Sequence, residues 1–410
     1  MTARQFAELF PGLKSPDAAA GAKAVYFDNA ATSQRPAEVT DAMADASLHS
    51  NANIHRAVHS LAAKATDLYE ASRDAAREFL NAASRQEIIF TSGATAAINL
   101  VAYSFSEQFI REGDEIITGE AEHHSNLVPW QIAAKRKGAI IKYLRCRQDG
   151  RYSPDDLAGM LTPRTKIVCI GHASNVLGIL NPVREIVQIC HSRGIIVLVD
   201  GAQGAVHSKV DVQSLGCDFY AFSAHKLYGP TGVGVLCGRK ELLEQMPPWQ
   251  SGGEMVGAVS LESTTFAPLP AKFEAGTQNF NAVAALAPAL KIAAKSLDDK
   301  ELNEEFEETR RYLYDALIKI DGLHLYGQTD NMEEKLPVFS FTIDGVHHED
   351  VAILLDKMGV AVRSGQMCAE PLMTHFGVTG MLRASLLPYN TKEEAAYFVK
   401  CLEKAVKMLK

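Results

Sequence analysis

The sequence predicts an α/β protein: a large unit whose mostly parallel, mixed sheet is covered by helices on both faces, followed by a smaller α/β unit. Three observations point there. Short apolar runs alternate with amphipathic stretches from about residue 85 to 240. Near residue 290 the pattern changes, and a long charged helical stretch opens a second set of strands and helices. The chain's 410 residues also exceed one typical domain, so two or three are expected.

In chain order, an N-terminal helix over 2–10 is expected to pack on the smaller unit. Strands are expected at EIIF (87–90), DEIIT (114–118), AIIKYL (139–144), KIVCIG (166–171), IIVLVD (195–200), CDFYAFS (217–223) and GVGVLCG (232–238). Helical patterns at 126–137 and 183–193 separate them, which argues for parallel crossovers. Ligands of such sheets bind at the carboxyl ends of the strands, where Thr91, Asp200 and Ser223 fall. Residues 246–282 are rich in Gly, Pro, Ser and Thr and lack periodicity; a long irregular stretch of this kind serves function or an interface. A helix over 297–319 follows, then strands at LHLYG (323–327), VFSFTI (338–343), VAVR (360–363) and LRASL (382–386), and a last helix over 392–410. The expected division is 25–290 for the large domain, and 1–24 with 291–410 for the small one.

Composition narrows the function. The chain is 47% hydrophobic and 22% charged, with a net charge of −8 that disfavours nucleic acid as a partner. Its longest apolar runs fall short of the ~20 residues of a membrane span, and MTARQFAELFPGL lacks the apolar core of a signal peptide. Seven cysteines form no CxxC pair; most lie inside apolar elements, as small buried thiols do, which fits a reducing cytoplasm.

The chemistry centres on Lys226, in FSAHKLYGPTGVGVL, and on Asp200, which closes the run IIVLVD. An amine and a carboxylate at neighbouring strand ends can grip two ends of one flat heteroaromatic ring. Lysine forms a Schiff base with an aldehyde, and aspartate holds a ring-nitrogen proton, which is what pyridoxal 5'-phosphate requires. Taken alone, Asp200 is as readily a turn cap and Lys226 a surface lysine; their flanks decide. Gln203 can reach an adjacent ring oxygen. Ser223 and His225 offer a hydroxyl and an imidazole to a phosphate, beside a glycine-containing loop at 229–234 that permits close backbone approach. Thr95, in TSGATAAINL, sits at the start of an expected helix, whose free N–H groups favour phosphate. His123, in EHHSN, can lie on the ring and shuttle protons; no Cys/His/Asp set at metal spacing accompanies it. Asn175 can donate to the ring hydroxyl. In the second region, Cys368 stands in a glycine-containing loop beside an arginine and ahead of a helix, a setting that favours a thiolate. Arg383, flanked by apolar residues, is a candidate fork for an amino-acid carboxylate.

Together these residues resemble the cysteine desulfurases of the class V, fold-type I pyridoxal-phosphate superfamily, and among them the Suf-type (group II) enzymes. The resemblance runs from YFDNAAT (26–32) and NIHR (53–56) through SAHKLYGPTGVG and FEAGT (273–277) to RSGQMCAEPL (363–372) and LRASLLPYNT. It implies that Lys226 carries the cofactor, that Asp200 and Gln203 hold the ring nitrogen and phenolic oxygen, and that His123 stacks on the ring. Thr95, Ser223 and His225 would bind the phosphate, with Thr277 reaching in from the second subunit of a homodimer. Asn175 and Arg383 would grip the substrate carboxylate, with His55 and Arg363 at the mouth. The implied reaction converts L-cysteine to L-alanine and leaves a persulfide on Cys368. A small sulfur-acceptor protein, SufE- or SufU-like, would take that sulfur for iron–sulfur cluster assembly in the cytoplasm. A selenocysteine lyase and an aminotransferase are the alternatives on the same scaffold.

Two positions depart from the family pattern. Ala96 stands where an acidic residue is frequent, and Met367 precedes the cysteine where histidine is frequent. The first bears on coupling between subunits. The second removes a neighbour that could lower the thiol's pKa, and with the short loop it predicts dependence on an acceptor protein.

Overall fold

A computed structural model describes residues 1–14, 24–55, 58–329 and 331–410. The large sheet has seven strands: β1 (Ile88–Thr91), β2 (Glu115–Gly119), β3 (Ile140–Leu144), β4 (Thr165–Gly171), β5 (Ile196–Asp200), β6 (Phe219–Ser223) and β7 (Gly234–Gly238). Their spatial order is β1-β7-β6-β5-β4-β2-β3. All pairings are parallel except those of β7, which runs antiparallel to both β1 and β6. Every expected strand of this sheet is present, within two residues at its ends.

Alternate residues along the central strands serve two cores, because successive side chains point to opposite faces. Val168, Ile170, Val197, Val199, Tyr220 and Phe222 pack on one face. Ile167, Cys169, Leu198, Phe219 and Ala221 pack on the other. The first face is covered by Ser60–Leu80, Val183–His191 and Leu286–Asp298, the second by Ala94–Phe109 and Val128–Lys137. Residues 280–298 have the length and apolarity of a membrane-crossing helix, which the apolar-run reading missed. They form two helices, Phe280–Ala284 and Leu286–Asp298, and bury Leu286, Ala289, Leu290 and Ala293 in the core.

Between the two sheets, the stretch expected to be irregular holds a short antiparallel hairpin, β8 (Val256–Val259) and β9 (Thr264–Phe266). The second sheet is antiparallel throughout: β10 (Leu323–Tyr326), β11 (Val338–Ile343), β12 (Arg363–Gly365) and β13 (Met381–Ser385), in the order β10-β11-β13-β12. Its core gathers Phe339, Phe341, Leu382 and Ala384 with Leu313, Leu355, Phe398 and Leu402 from three helices. The last of these, Lys392–Leu409, starts on a capping box, in which the Thr391 side chain and that of Glu394 satisfy each other's backbone N–H groups.

Three expectations are corrected. The helix expected over 297–319 is broken at Asp299, which ends Leu286–Asp298 and caps Lys300–Leu317 by accepting the Leu302 N–H at 3.1 Å. The run VAVR divides: Val360–Ala361 pairs in parallel with Val25–Tyr26, while Arg363 belongs to β12. The N-terminal helix, Ala3–Ala7, bridges both regions. The Met1 ammonium pairs with Asp299 at 2.9 Å, while Phe6 and Phe10 pack edge-on against Tyr228. Val25 and Phe27 lie in the smaller core and Phe6 and Phe10 in the larger, so contacts cross the expected boundary near residue 25 in both directions. Residues 15–23, assigned to the small unit, lie outside the described residues.

A buried ion pair fixes the wall behind the site. Arg73 and Glu274 are 1% and 3% exposed and 2.8 Å apart. Glu274 also accepts hydrogen bonds from the Tyr69 hydroxyl at 2.9 Å and the Phe90 N–H at 2.7 Å. It therefore ties helix Ser60–Leu80 and β1 to the segment that leads to Thr277. Glu274→Ala leaves a buried guanidinium without its closest counter-charge, and we expect a loss of about 3–5 kcal/mol in urea denaturation; a loss below about 1 kcal/mol would contradict this role.

Candidate active site

The carboxyl ends of five large-sheet strands, together with β12, β13 and the Met367–Cys368 loop of the smaller region, line a cavity of about 350 Å³. Lys226, Asp200, Gln203, His123, Thr95, Ser223, His225, Asn175, Arg363, Cys368 and Arg383 all line it. His55 and Thr277 do not.

Lys226 ends a short turn, Ala224–Lys226, immediately after β6, and Asp200 ends the neighbouring β5. The sheet's geometry therefore places them side by side. Both are drawn toward neutrality by loss of water. Burial lowers the Lys226 amine to about 8, against the opposing attraction of Asp200. Burial raises the Asp200 carboxyl, against one hydrogen bond from the Ala202 N–H at 2.9 Å and the charge of Lys226. The second Asp200 oxygen has no hydrogen-bond partner among the described residues.

The phosphate side is built by β1 and β6. Gly93 has φ 154° and packs backbone to backbone on Gly234, whose Cβ, if present, would come within 2.4 Å of Gly93. This close approach seats the Ala94 N–H 2.8 Å from Ser223 Oγ. Gly93, the N-cap of helix Ala94–Phe109, has no side chain to cap it; Ser223 takes the Ala94 N–H, and Ala94, Thr95 and Ser223 line the cavity at this helix start. His225 stands beside them, and burial lowers its imidazole to about 4. Gln203 donates one amide hydrogen to the Ala30 carbonyl at 2.8 Å, leaving the other for a ligand.

His123 follows β2, and its tautomer is set locally. Nδ1 accepts the Ser125 N–H at 3.1 Å and lies 2.7 Å from Ser125 Oγ, which is itself 2.8 Å from Thr95 Oγ1. Nδ1 is therefore unprotonated, and the neutral ring carries its proton on Nε2. Burial and the charge of Lys226 lower His123 to about 4, so the ring is neutral at physiological pH.

Arg383, 4% exposed on β13, donates to the Asn175 carbonyl at 2.9 Å and to Asp28 at 3.2 Å, while its buried Nε has no partner among the described residues. A buried donor left unpaired is costly, and an incoming carboxylate would satisfy it. Arg363, half exposed, shares Asp28 at 2.7 Å. Asn175 donates Nδ2 to the Met367 carbonyl at 2.8 Å, so it holds the cysteine loop.

That loop is strained. Met367 and Cys368 both have left-handed φ, 54° and 55°, which non-glycine residues rarely adopt. Clasps hold it: the Asn175 contact, and the His124 N–H donating to the Cys368 carbonyl at 2.9 Å. Met367 is buried in the apolar core, so it adds no titratable neighbour to the sulfur. Cys368 is exposed, whereas the other six cysteines are buried.

His55 lies against helix Ser60–Leu80, 3.2 Å from Glu70, and Thr277 is on the surface. Neither reaches this chain's cavity. Arg56, part of the NIHR motif, lies outside the described residues. The sequence reading missed Asp28, Glu122, Tyr152 and Ser125. Asp28 lies in YFDNAAT, and Glu122 and Ser125 in EHHSN, which was the available signal; Tyr152 lies in no motif. Glu122 accepts from Asn126 Nδ2 at 2.6 Å and Tyr152 at 2.9 Å, yet burial raises its carboxyl to about 7.

An amine poised to form an imine, a carboxylate one strand away, and a helix start flanked by hydroxyls together fit pyridoxal phosphate from ring nitrogen to phosphate, and so define a pyridoxal-phosphate enzyme. The comparisons agree. The class-V aminotransferase family model matches residues 25–398. A probable cysteine desulfurase of Halalkalibacterium halodurans is 46% identical over 405 residues, covering 98% of each chain. A second, from Vibrio cholerae, is 44% identical over 385 residues and 94% of each chain. Among solved structures, the cysteine desulfurase CsdA of Escherichia coli aligns with a TM-score of 0.90 at 40% identity, over 100% of both chains. The chain belongs to the class-V aminotransferase family, among its pyridoxal-phosphate-dependent cysteine desulfurases.

The lowered Lys226 predicts a pH profile. An amine reacts only when neutral, so imine formation by cofactor-free enzyme should rise through pH 8 and level off above it. Stopped-flow absorbance would show this, and a midpoint near that of free lysine would contradict the assignment.

Proposed function

We propose that this enzyme removes sulfur from L-cysteine, releases L-alanine, and carries the sulfur as a persulfide on Cys368 to a small acceptor protein. The observation that supports this best is the one exposed cysteine, at the mouth of the cavity that Lys226 lines.

When bound, pyridoxal phosphate supplies an aldehyde for the amino group and an electron sink for the Cα–H bond. The protein does the rest. Arg383 binds the substrate carboxylate through its unpaired Nε, assisted by Asn175. Lys226 takes the Cα proton, for which an amine near neutrality is suited. Asp200 holds the proton of the ring nitrogen, and Gln203 the phenolic oxygen. Thr95, Ser223, His225 and the start of helix Ala94–Phe109 hold the phosphate. Cys368 attacks the substrate sulfur; a sulfur–sulfur bond forms, the carbon–sulfur bond breaks, and the carbon keeps the electron pair. His123, with Nε2–H, delivers a proton to balance that pair, and Lys226 returns its proton to Cα. Thiol and cysteine thus become persulfide and alanine, with no outside oxidant.

Three further assignments belong to this reading. The enzyme acts as a homodimer in which Thr277 and His55 of a second copy complete the site, since both are exposed here and apart from this chain's own cavity. The acceptor is SufE- or SufU-like, serving iron–sulfur cluster assembly in the cytoplasm. The exposed but clasped loop supports such dependence, because the sulfur can be collected where it is formed.

Cys368→Ser should lower alanine and sulfide release from L-cysteine by about 100-fold or more, while the visible absorbance of bound cofactor persists. Unchanged turnover in that variant would refute the nucleophile; lost absorbance would instead point to a disrupted site.

A further inference from the structure

Away from the cavity, three side chains able to bind metal come together from distant parts of the chain. Glu120 follows β2, Cys146 follows β3, and His375 lies on the helix Glu370–Phe376 that continues from the Cys368 loop. One donor atom from each lies within 4.8 Å of the others. Donors around a tetrahedral zinc are about 3.3–3.8 Å apart, so a closure of about 1 Å completes three corners. Glu120 and Cys146 are 3% and 5% exposed, and the His375 side chain 16%.

We propose that Glu120, Cys146 and His375 form a binding site for a zinc-class divalent cation, with water in the fourth position. The mixed oxygen, sulfur and nitrogen set is the kind that zinc accepts. Without metal the same atoms form a hydrogen-bonded cluster: His375 Nδ1 lies 3.1 Å from Glu120 Oε1, which also accepts the Cys146 N–H at 2.8 Å, and Arg145 pairs with Oε2 at 2.6 Å. The other ring nitrogen, His375 Nε2, is buried and has no hydrogen-bond partner among the described residues. A carboxylate and a thiolate would neutralise the cation. Arg145, 80% exposed, is free to turn into solvent. The Cys146 thiol, held near 12 by burial and by Glu120, must lose its proton, so affinity rises with pH.

The site's position gives it a consequence. Helix Glu370–Phe376 already meets the β2 loop through the His124–Glu370 pair, next to the His124–Cys368 backbone bond. A metal on His375 and Glu120 would add a clasp between the same two arms and restrain the strained loop.

The test is equilibrium dialysis of cofactor-loaded Cys368→Ala, which lacks the exposed thiol, against Zn²⁺ after chelator washing. One zinc per chain is expected, with Kd at or below about 1 μM. Cys146→Ala and His375→Gln, each in that background, should weaken binding at least about tenfold. Co²⁺ should give a near-ultraviolet thiolate-to-metal band that Cys146→Ala removes, and unchanged cofactor absorbance would show that the variants fold. Absence of stoichiometric binding, or binding indifferent to both substitutions, would overturn the site. No readout depends on turnover, so this test can fail while the desulfurase reading stands.

Discussion

Everything in this enzyme depends on an amine and a carboxylate brought together where water is scarce. Ionised groups resist such surroundings unless paired. Lys226 and Asp200 are accordingly pushed toward their neutral forms and held there by neighbouring strand ends rather than by an exchange of hydrogen bonds. A parallel sheet suits the task, because adjacent strands finish at the same edge. Asp200 pairs in register with Ala221, which places Ser223 and then Lys226 just beyond. The antiparallel β7 returns beside β6, and its Gly234 lets the start of a helix approach Ser223.

The smaller region supplies what the large sheet lacks: a guanidinium with an unpaired nitrogen and an exposed thiol. Both are tied to the large sheet through Asn175, whose carbonyl accepts from Arg383 and whose amide donates to Met367. In the proposed reaction, substrate recognition and nucleophile placement would therefore share one residue. A loop with two successive left-handed residues keeps that shape only because its surroundings hold it. Its carbonyls accept from His124 and Asn175, and Cys368 remains exposed at the cavity.

Much of this was legible in the residues. The central strands of the large sheet follow from apolar runs, since a strand buried on both faces offers few polar positions, and the more exposed edge strand β3 still carries the run AIIKYL. The cavity residues were legible because each sits at a strand end or in a loop with a turn signal. What escaped has physical causes. Asp299 breaks a helix that charge pattern alone makes continuous: its side chain caps the next helix and also binds the distant N-terminal ammonium. Asp28 gains its meaning only when two arginines from remote strands converge on it. Helices Ala37–His49 and Ser60–Leu80 bury few large apolar residues, Val39 in the first and Tyr69 and Leu80 in the second, a faint stripe in composition. His55 and Thr277 lie apart from this chain's cavity, a separation that no local pattern in the sequence signals.

The most direct test of the central claim is reduction of the cofactor-bound enzyme with borohydride, then peptide mass mapping. Reduction turns an imine into a stable secondary amine and marks the lysine that carried it. Lys335 is the natural comparison, because burial lowers it to about 7 while it lies outside the cavity, donating to the Leu177 and Gly327 carbonyls. The account predicts the pyridoxyl mass on the Lys226 peptide alone. A label on Lys335 or any other lysine, or no label at all, would contradict it.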